Sequence, residues 1–318
     1  CSALVTGASK AIPLEFPELS VQRVHVPEGI DLLRSGGVYG SIGSVTNGYL
    51  MWLASIAASR PSETDLWLDA SSPHALRVPR LVPRRQLPPS GNPAVDPRGI
   101  YLISGGSGGV GGALIAWLLY EQNVPPPNIV LISRRDITPP HAGVTCVKAD
   151  MSSAASLSGC QALCSLPEVS GIFHLAGVLD DGLLVNMTPR RLHAAVAPKA
   201  GVLTLLELCQ AQRWRPRWLV AASSTSSLLG YAGQSNYCAA NGLLDHLATF
   251  GLPTSLRRGS WEGDSSYQPH VLTLNFGPWG EVGMAREGTK AHQLSLQSGE
   301  LPMASSAAIS CIAEALRQ

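Results

Sequence analysis

A serine, a tyrosine and an asparagine are the residues of this sequence best suited to chemistry. Ser224 precedes Tyr237 by thirteen residues, and Asn241 follows Tyr237 by four. Residues four apart on a helix share a face, so Tyr237 and Asn241 would project together. Reducing a ketone requires a proton at oxygen as hydride reaches carbon. A tyrosine can supply that proton if a nearby cation lowers its phenol pKa, and a serine hydroxyl can hold the carbonyl oxygen. Lys199, in the run APKAG, is a candidate cation, although its spacing alone describes an exposed surface lysine better.

Hydride needs a donor, and residues 104–111 read SGGSGGVG, between an apolar run and an apolar helical stretch. Glycines let backbone turn tightly against a pyrophosphate, and a helix N-terminus adds free N–H groups and a favourable dipole. Gly105, Gly106, Ser107, Gly108, Gly109 and Val110 are thus candidate cofactor contacts. The next apolar run ends in Ser133, Arg134 and Arg135. An acidic residue there would hold a ribose 2′-hydroxyl, whereas arginine suits a 2′-phosphate, which favours NADPH over NADH. Asp150, next to Met151, ends the following run, placed either to meet the adenine edge or to cap a helix. Ala176 and Gly177 are small residues on the cofactor side, and neighbouring His174 reads as a packed core histidine.

These residues need a scaffold that brings strand ends together. Short apolar runs at 100–104, 128–133, 145–149, 171–175, 218–222 and 271–275 alternate with helical stretches, the first at 110–120. That alternation implies βαβ units with right-handed crossovers and a doubly wound parallel sheet, with ligands at the carboxyl ends of its strands. Residues 84–98, RRQLPPSGNPAVDPR, break the pattern as a linker. The expected division is therefore a segment 1–98, including the linker, and a catalytic part 99–318. Thr6–Gly7–Ala8–Ser9–Lys10 imitates the start of a nucleotide loop, but Pro13 and Pro17 follow without another nearby glycine. A buried strand and turn is the expectation there.

Bulk properties narrow the function classes. The 318 residues carry a formal net charge of +1, so nothing argues for nucleic acid or an anionic membrane as partner. Only 14% of residues are charged, so part of the surface is expected to be covered by other protein. The longest apolar stretch, near 49–58, is too short to span a bilayer. Seven cysteines form no CxxC pair, so no metal site is expected and reduced, intracellular (cytoplasmic) thiols are. The chain begins at Cys1 without a signal pattern or initiator Met, as an excised piece would.

From about residue 99 to the end, the sequence resembles the ketoreductase domain of polyketide synthases, a branch of the short-chain dehydrogenase/reductases. The resemblance rests on SGGSGGVG at 104–111, SRR at 133–135, HLAGVLDDG at 174–182, MTPRRLHAAVAPKAGV at 187–202, SSTSSLLGYAGQSNYCAAN at 223–241 and NFGPWGEVGMA at 275–285. It implies a Rossmann-like catalytic fold, with residues 1–98 as a truncated, degenerate Rossmann-like structural subdomain. Residues 67–69 and 77–84 loosely resemble that subdomain's closing segment. It also implies catalytic roles for Lys199, Ser224, Tyr237 and Asn241, with Lys199, Tyr237 and Pro278 also at the cofactor. In this branch the lysine comes from the Pro-Lys-x-Gly run, and Asn241 occupies the position four after the tyrosine. Leu179, Asp180 and Asp181 match the LDD fingerprint of the type that sets a D-configured hydroxyl, while Leu229 stands where the other type has tryptophan. Gln234, Trp279 and Met284 are expected on the substrate side, the last two in a lid over 277–297, either lining the pocket or simply packing.

The implied reaction is NADPH-dependent reduction of a β-ketoacyl thioester on the phosphopantetheine arm of an acyl carrier protein. Neighbouring synthase domains are the implied partners, within a larger synthase that the family allows to be dimeric. A stand-alone reductase of a free ketone and a catalytically silent scaffold are the rival readings. The family helix between 135 and 150 is expected to be missing, and 257–268 reads as a polar insertion.

Overall fold

A computed structural model describes residues 2–25, 63–69, 72–82, 95–257, 261, 266–297 and 299–317. The chain separates into two compact units, Cys1–Glu15 with Pro88–Gln318, and Phe16–Leu87. The first fifteen residues thus belong with the larger unit, a different division from the one expected at residue 98. Most of the linker at 84–98 and the apolar stretch at 49–58 lie outside the described residues.

The larger unit opens with α1 (Ser2–Ser9) and α2 (Ile12–Glu15). The smaller unit contains β1 (Arg23–His25), β2 (Asp65–Asp69) and β3 (Ser72–Arg77). There β1 pairs parallel with β2, and β2 antiparallel with β3. The Arg23 guanidinium meets Asp65 at 2.7 Å across the β1–β2 pair, a nearly buried ion pair that secures their register.

The rest of the larger unit runs β4 (Tyr101–Ser104), α3 (Gly109–Tyr120), β5 (Ile129–Ser133), β6 (Thr145–Lys148), α4 (Ala154–Ser158) and α5 (Gln161–Cys164). It continues through β7 (Gly171–His174), α6 (Pro189–Ala211), β8 (Trp218–Ser224), α7 (Ser226–Leu229) and α8 (Ser235–Phe250). The final elements are β9 (His270–Phe276), α9 (Lys290–Gln297) and α10 (Ser305–Leu316). Six strands form one sheet in the order β6-β5-β4-β7-β8-β9, every pair parallel. This is the doubly wound order, with its reversal between β4 and β7.

Side chains alternate across the sheet because the strand repeat is two residues. Leu102, Ile172 and Leu219 face one core, built with Val202, Leu205 and Leu206 of α6 and Leu244 and Leu247 of α8. Tyr101, Ile103, Phe173 and Val220 face the other, built with Leu114, Ile115 and Leu118 of α3 and Ile309 and Ile312 of α10. Both faces are covered, which explains why β4, β5 and β7 read as continuous apolar runs.

Residues 6–10 correct an expectation. They lie on or just beyond helix α1, with no strand. Pro13 falls in the first turn of α2, where the missing N–H costs nothing. Ala3, Gly7 and Ala11 repeat at helical spacing and are buried, and α1 packs along α8. A Cβ on Gly7 would strike the Cys238 carbonyl and, at 2.8 Å, the Ala239 Cα. Glycine there lets the two backbones approach.

Candidate active site

The carboxyl ends of β4, β5, β7, β8 and β9 place Ser104, Ser133, His174, Ser224 and Phe276 along one edge of the sheet. The glycine loop leaves β4 there. Gly105 has φ +73, and a Cβ on it would lie 2.7 Å from the Ala176 amide nitrogen. A Cβ on Gly111 would lie 2.5 Å from Gly106, so α3 starts tight against the loop. Ser107, Gly108 and Gly109 are exposed at the N-terminus of α3, and Gly108 places no side-chain cap on its free N–H groups. Val110 is half-buried in the helix's first turn. Gly105, Gly109 and Gly111 leave no room for a Cβ, and the loop opens at the N-terminus of a twelve-residue helix, an arrangement that fits a cofactor pyrophosphate.

Arg134 and Arg135 are exposed just past β5, where the Arg135 amide donates to Ser133 Oγ at 3.2 Å. Asp150 accepts from the amide (2.9 Å) and hydroxyl (2.7 Å) of Ser152, which hold its pKa below the usual carboxylate value. These bonds place Asp150 in a turn; the cap of the helix that follows is Ser153, whose side chain accepts from the Ser156 amide, so the helix-cap reading of Asp150 is not met. Met151 is buried, its Cβ 2.8 Å from where a Cβ on Gly201 would stand. No helix occurs between β5 and β6, where Pro139 and Pro140 stand, in line with the helix expected to be missing there.

His174 is fully buried, and burial pushes its pKa down to about 3. The ring is therefore neutral. Nε2 lies 3.1 Å from the Lys199 carbonyl, which can only accept, so Nε2 carries the proton and Nδ1 accepts from Ser104 Oγ at 2.7 Å. The histidine thus ties β4 to the backbone of α6 at Lys199.

Lys199 itself is 3% exposed, not the surface lysine its spacing suggested. Its ammonium donates to the Ala222 carbonyl at 2.5 Å. Burial lowers its pKa to about 8, against an opposing pull from Asp245. A Cβ on Gly177 would lie 3.4 Å from Nζ, so that glycine leaves room for the lysine. The helix carrying it, α6, is long and apolar enough by length and composition to cross a membrane. Here it packs against α8 and the sheet.

Tyr237 and Asn241 share the α8 face, as their spacing predicted. Contrary to the expectation of a phenol pKa lowered by a nearby cation, burial raises the Tyr237 pKa, and it is hydrogen bonding with the Asn241 and Ser224 side chains that pulls it back. Ser224 Oγ accepts from the Ser226 amide at 3.2 Å, which leaves its hydroxyl proton free to point elsewhere. Asn241 is buried; its Nδ2 donates to the Tyr237 carbonyl at 3.0 Å, while its Oδ1 has no partner among the described residues. The arrangement offers a phenol, a serine hydroxyl, a buried ammonium and an open amide acceptor on the edge that carries the glycine loop.

Sequence reasoning missed the layer beneath. Asn275 Nδ2, on β9, lies 3.0 Å from both Asp245 oxygens and 3.2 Å from the Ser224 carbonyl and Ser223 Oγ. Asp245 also accepts from Ser227, and its pKa is raised by burial. Its position four residues after Asn241 was the only signal available.

Arg191 Nε donates to Asp180 at 3.1 Å, and Gln234 Nε2 to Asp181 Oδ2 at 2.9 Å. The Leu179–Asp180–Asp181 run and Gln234 are therefore together. Trp279 is buried and stacks edge-on against Phe276 at 5.4 Å, so it packs into the core instead of lining an open pocket. Pro278 is buried, its carbonyl accepting from Met303, while Met284 is exposed. A cavity of about 560 Å³ in this segment is lined by Gly280, Glu281, Arg286, Glu287, His292 and Met303, and Tyr237 does not line it. Most of the anticipated insertion at 257–268 lies outside the described residues.

A family model described as the KR domain matches residues 99–257, half of the chain. The chain belongs to the ketoreductase domains of polyketide synthases. Polyketide synthase GfsB of Streptomyces halstedii is 29% identical over 332 residues, covering 99% of this chain and 5% of that protein. Polyketide synthase GfsA of the same organism is 36% identical over 232 residues, covering 66% of this chain and 3% of that protein. A solved structure of an A1-type ketoreductase superposes with a TM-score of 0.73 at 26% identity, over 99% of this chain and 62% of that one. The chain thus spans a few per cent of these curated relatives. Ketoreductase domains are nicotinamide-dependent oxidoreductases, and their relatives here are multidomain synthase components.

Proposed function

We propose that this ketoreductase domain uses NADPH to reduce the β-carbonyl of an acyl thioester tethered to an acyl carrier protein. One observation carries the reading. Ser224, Tyr237, Asn241 and the buried Lys199 gather on the strand edge where a glycine cradle opens at a helix N-terminus. Such a site is complete for proton-coupled carbonyl reduction, which favours an active domain over a silent scaffold.

When bound, the cofactor supplies hydride to the β-carbon. Ser224 donates its hydroxyl to the ketone oxygen, since the Ser226 amide already occupies an acceptor lone pair of that oxygen atom. Tyr237 gives its phenol proton to the same oxygen as the alcohol forms. The raised phenol pKa keeps that proton in place beforehand. Lys199, as the ammonium, stabilises the phenolate left behind, and the Asn241 Oδ1 accepts from the lysine or from a water that returns the proton. Arg134 and Arg135, exposed past β5, would meet the 2′-phosphate, and Asp150 and Met151 would border the adenine. Ala176, Gly177 and Pro278 would flank the nicotinamide half. The run of Leu179, Asp180 and Asp181 with Gln234 would guide the acyl chain toward a D-configured alcohol, with Met284 on the lid side.

The relatives are synthases, so the substrate would arrive on a carrier domain, beside other synthase domains and inside the cell. Residues 16–87 would act as a non-catalytic structural subdomain. The test is Tyr237→Phe. It should lower kcat on a β-ketoacyl thioester by about 10²-fold or more while NADPH affinity, read by fluorescence titration, stays near wild type. A variant that keeps the full rate removes Tyr237 as proton donor.

A further inference from the structure

Glu15 belongs to none of the motifs above, yet it reaches both loops that frame the site. Its Oε2 accepts from the Leu184 amide at 2.5 Å and its Oε1 from the Gly233 amide at 2.8 Å. Leu184 closes the loop that carries Leu179, Asp180 and Asp181. Gly233, at φ +78, opens the turn into Gln234 and Tyr237. The loops also meet directly. Gly182 N–H donates to the Gly233 carbonyl at 2.7 Å, Gln234 to Asp181 at 2.9 Å, and Asn236 Nδ2 to the Asp180 carbonyl at 2.8 Å.

A carboxylate is an acceptor-only group whose two oxygens can serve two N–H donors at once, and its charge strengthens both bonds. Nothing else in the side-chain repertoire does this without adding a competing donor. The carboxylate is itself held in place. Helix α1 packs closely along α8 through Gly7, and the Lys10 carbonyl that follows it abuts Gly230, leaving no room for a Cβ there. The segment ending at Glu15 therefore touches the loop before Tyr237 at two separate points, residues 230 and 233.

We propose that Glu15 is a positioning residue that sets the separation between the Leu179–Asp181 run and the loop entering Tyr237, and through it how the acyl chain lies against the proton donor. The proposal rests on the reductase reading. Glu15 touches no reacting atom; it acts on substrate orientation.

Glu15→Gln in the 318-residue chain tests it, because the amide keeps the shape but turns an N–H toward one of the two backbone donors. Exchange of the Leu184 and Gly233 amides should quicken by about tenfold, with amides of α3 unchanged. On a 2-methyl-3-oxoacyl N-acetylcysteamine thioester, KM should rise by about tenfold with kcat and NADPH affinity nearly constant, and the diastereomer ratio of the alcohol should fall. Glu15→Asp, a carboxylate able to reach one donor, should fall between. Unchanged exchange at both amides, exchange that rises throughout the chain, or an unchanged KM and product ratio would each overturn the proposal. If the wild-type chain reduces no thioester, the reductase reading fails by itself. The exchange experiment then still decides whether Glu15 joins the two loops.

Discussion

Lys199 is where the chemistry and the fold constrain each other most. The lysine is inside the protein, bonded to one carbonyl, and burial brings its pKa down to about 8. The proposed role needs the ammonium. That form is lost as pH rises through about 8, so kcat/KM for reduction should fall in that range. The phenol's own pKa is moved upward, so it does not set this limb. Lys199→Met should remove the limb and lower the rate by about 10²-fold. A wild-type rate that stays flat well above pH 8 contradicts the assignment. At this scale the sequence was informative only in part. Ser224, Tyr237 and Asn241 were legible because a helical spacing of four and a strand end suffice to group them. Lys199 was not, because its burial comes from α6 packing against α8 and one face of the sheet. It became readable only through resemblance. Asp245 and Asn275 meet across 30 residues of chain and Glu15 meets its donors across 169 and 218, separations that no local pattern encodes.

The elements divide in the same way. Every strand of the six-stranded sheet was visible as a short run, most plainly β4, β5 and β7, where burial on both faces leaves little room for polar residues. The glycine loop was visible because tight turns and close backbone approach restrict residue choice. Residues 6–10 were misread as a buried strand and turn because Pro13 and Pro17 follow them. The overlooked signal was the small residues at 3, 7 and 11, which give α1 a flat face for α8. That packing makes a sharp prediction. A side chain at Gly7 must displace the Cys238 carbonyl or the Ala239 Cα, so Gly7→Leu should cost about 1–3 kcal/mol. A thermal melt should register this as a fall of about 2–4 °C per kcal/mol. An unchanged midpoint would mean that α1 does not pack on α8 as described.

Over the whole molecule, the doubly wound sheet brings residues from β4 to β9 to one edge and leaves the strands' opposite ends free of site residues. The lid side is the least legible region. Trp279 could equally have faced substrate or core from its sequence, and its place against Phe276 depends on packing beside α10. The relatives are many times longer than this chain, and in the proposed reading a carrier would bring the acyl group to it. The most direct measurement is a single-enzyme assay of the wild-type chain with a β-ketoacyl thioester, following cofactor absorbance and product together. One β-hydroxyacyl thioester should form for each NADPH oxidised, with NADH a much poorer donor. No alcohol formed, although the chain is folded and NADPH is bound, would contradict it.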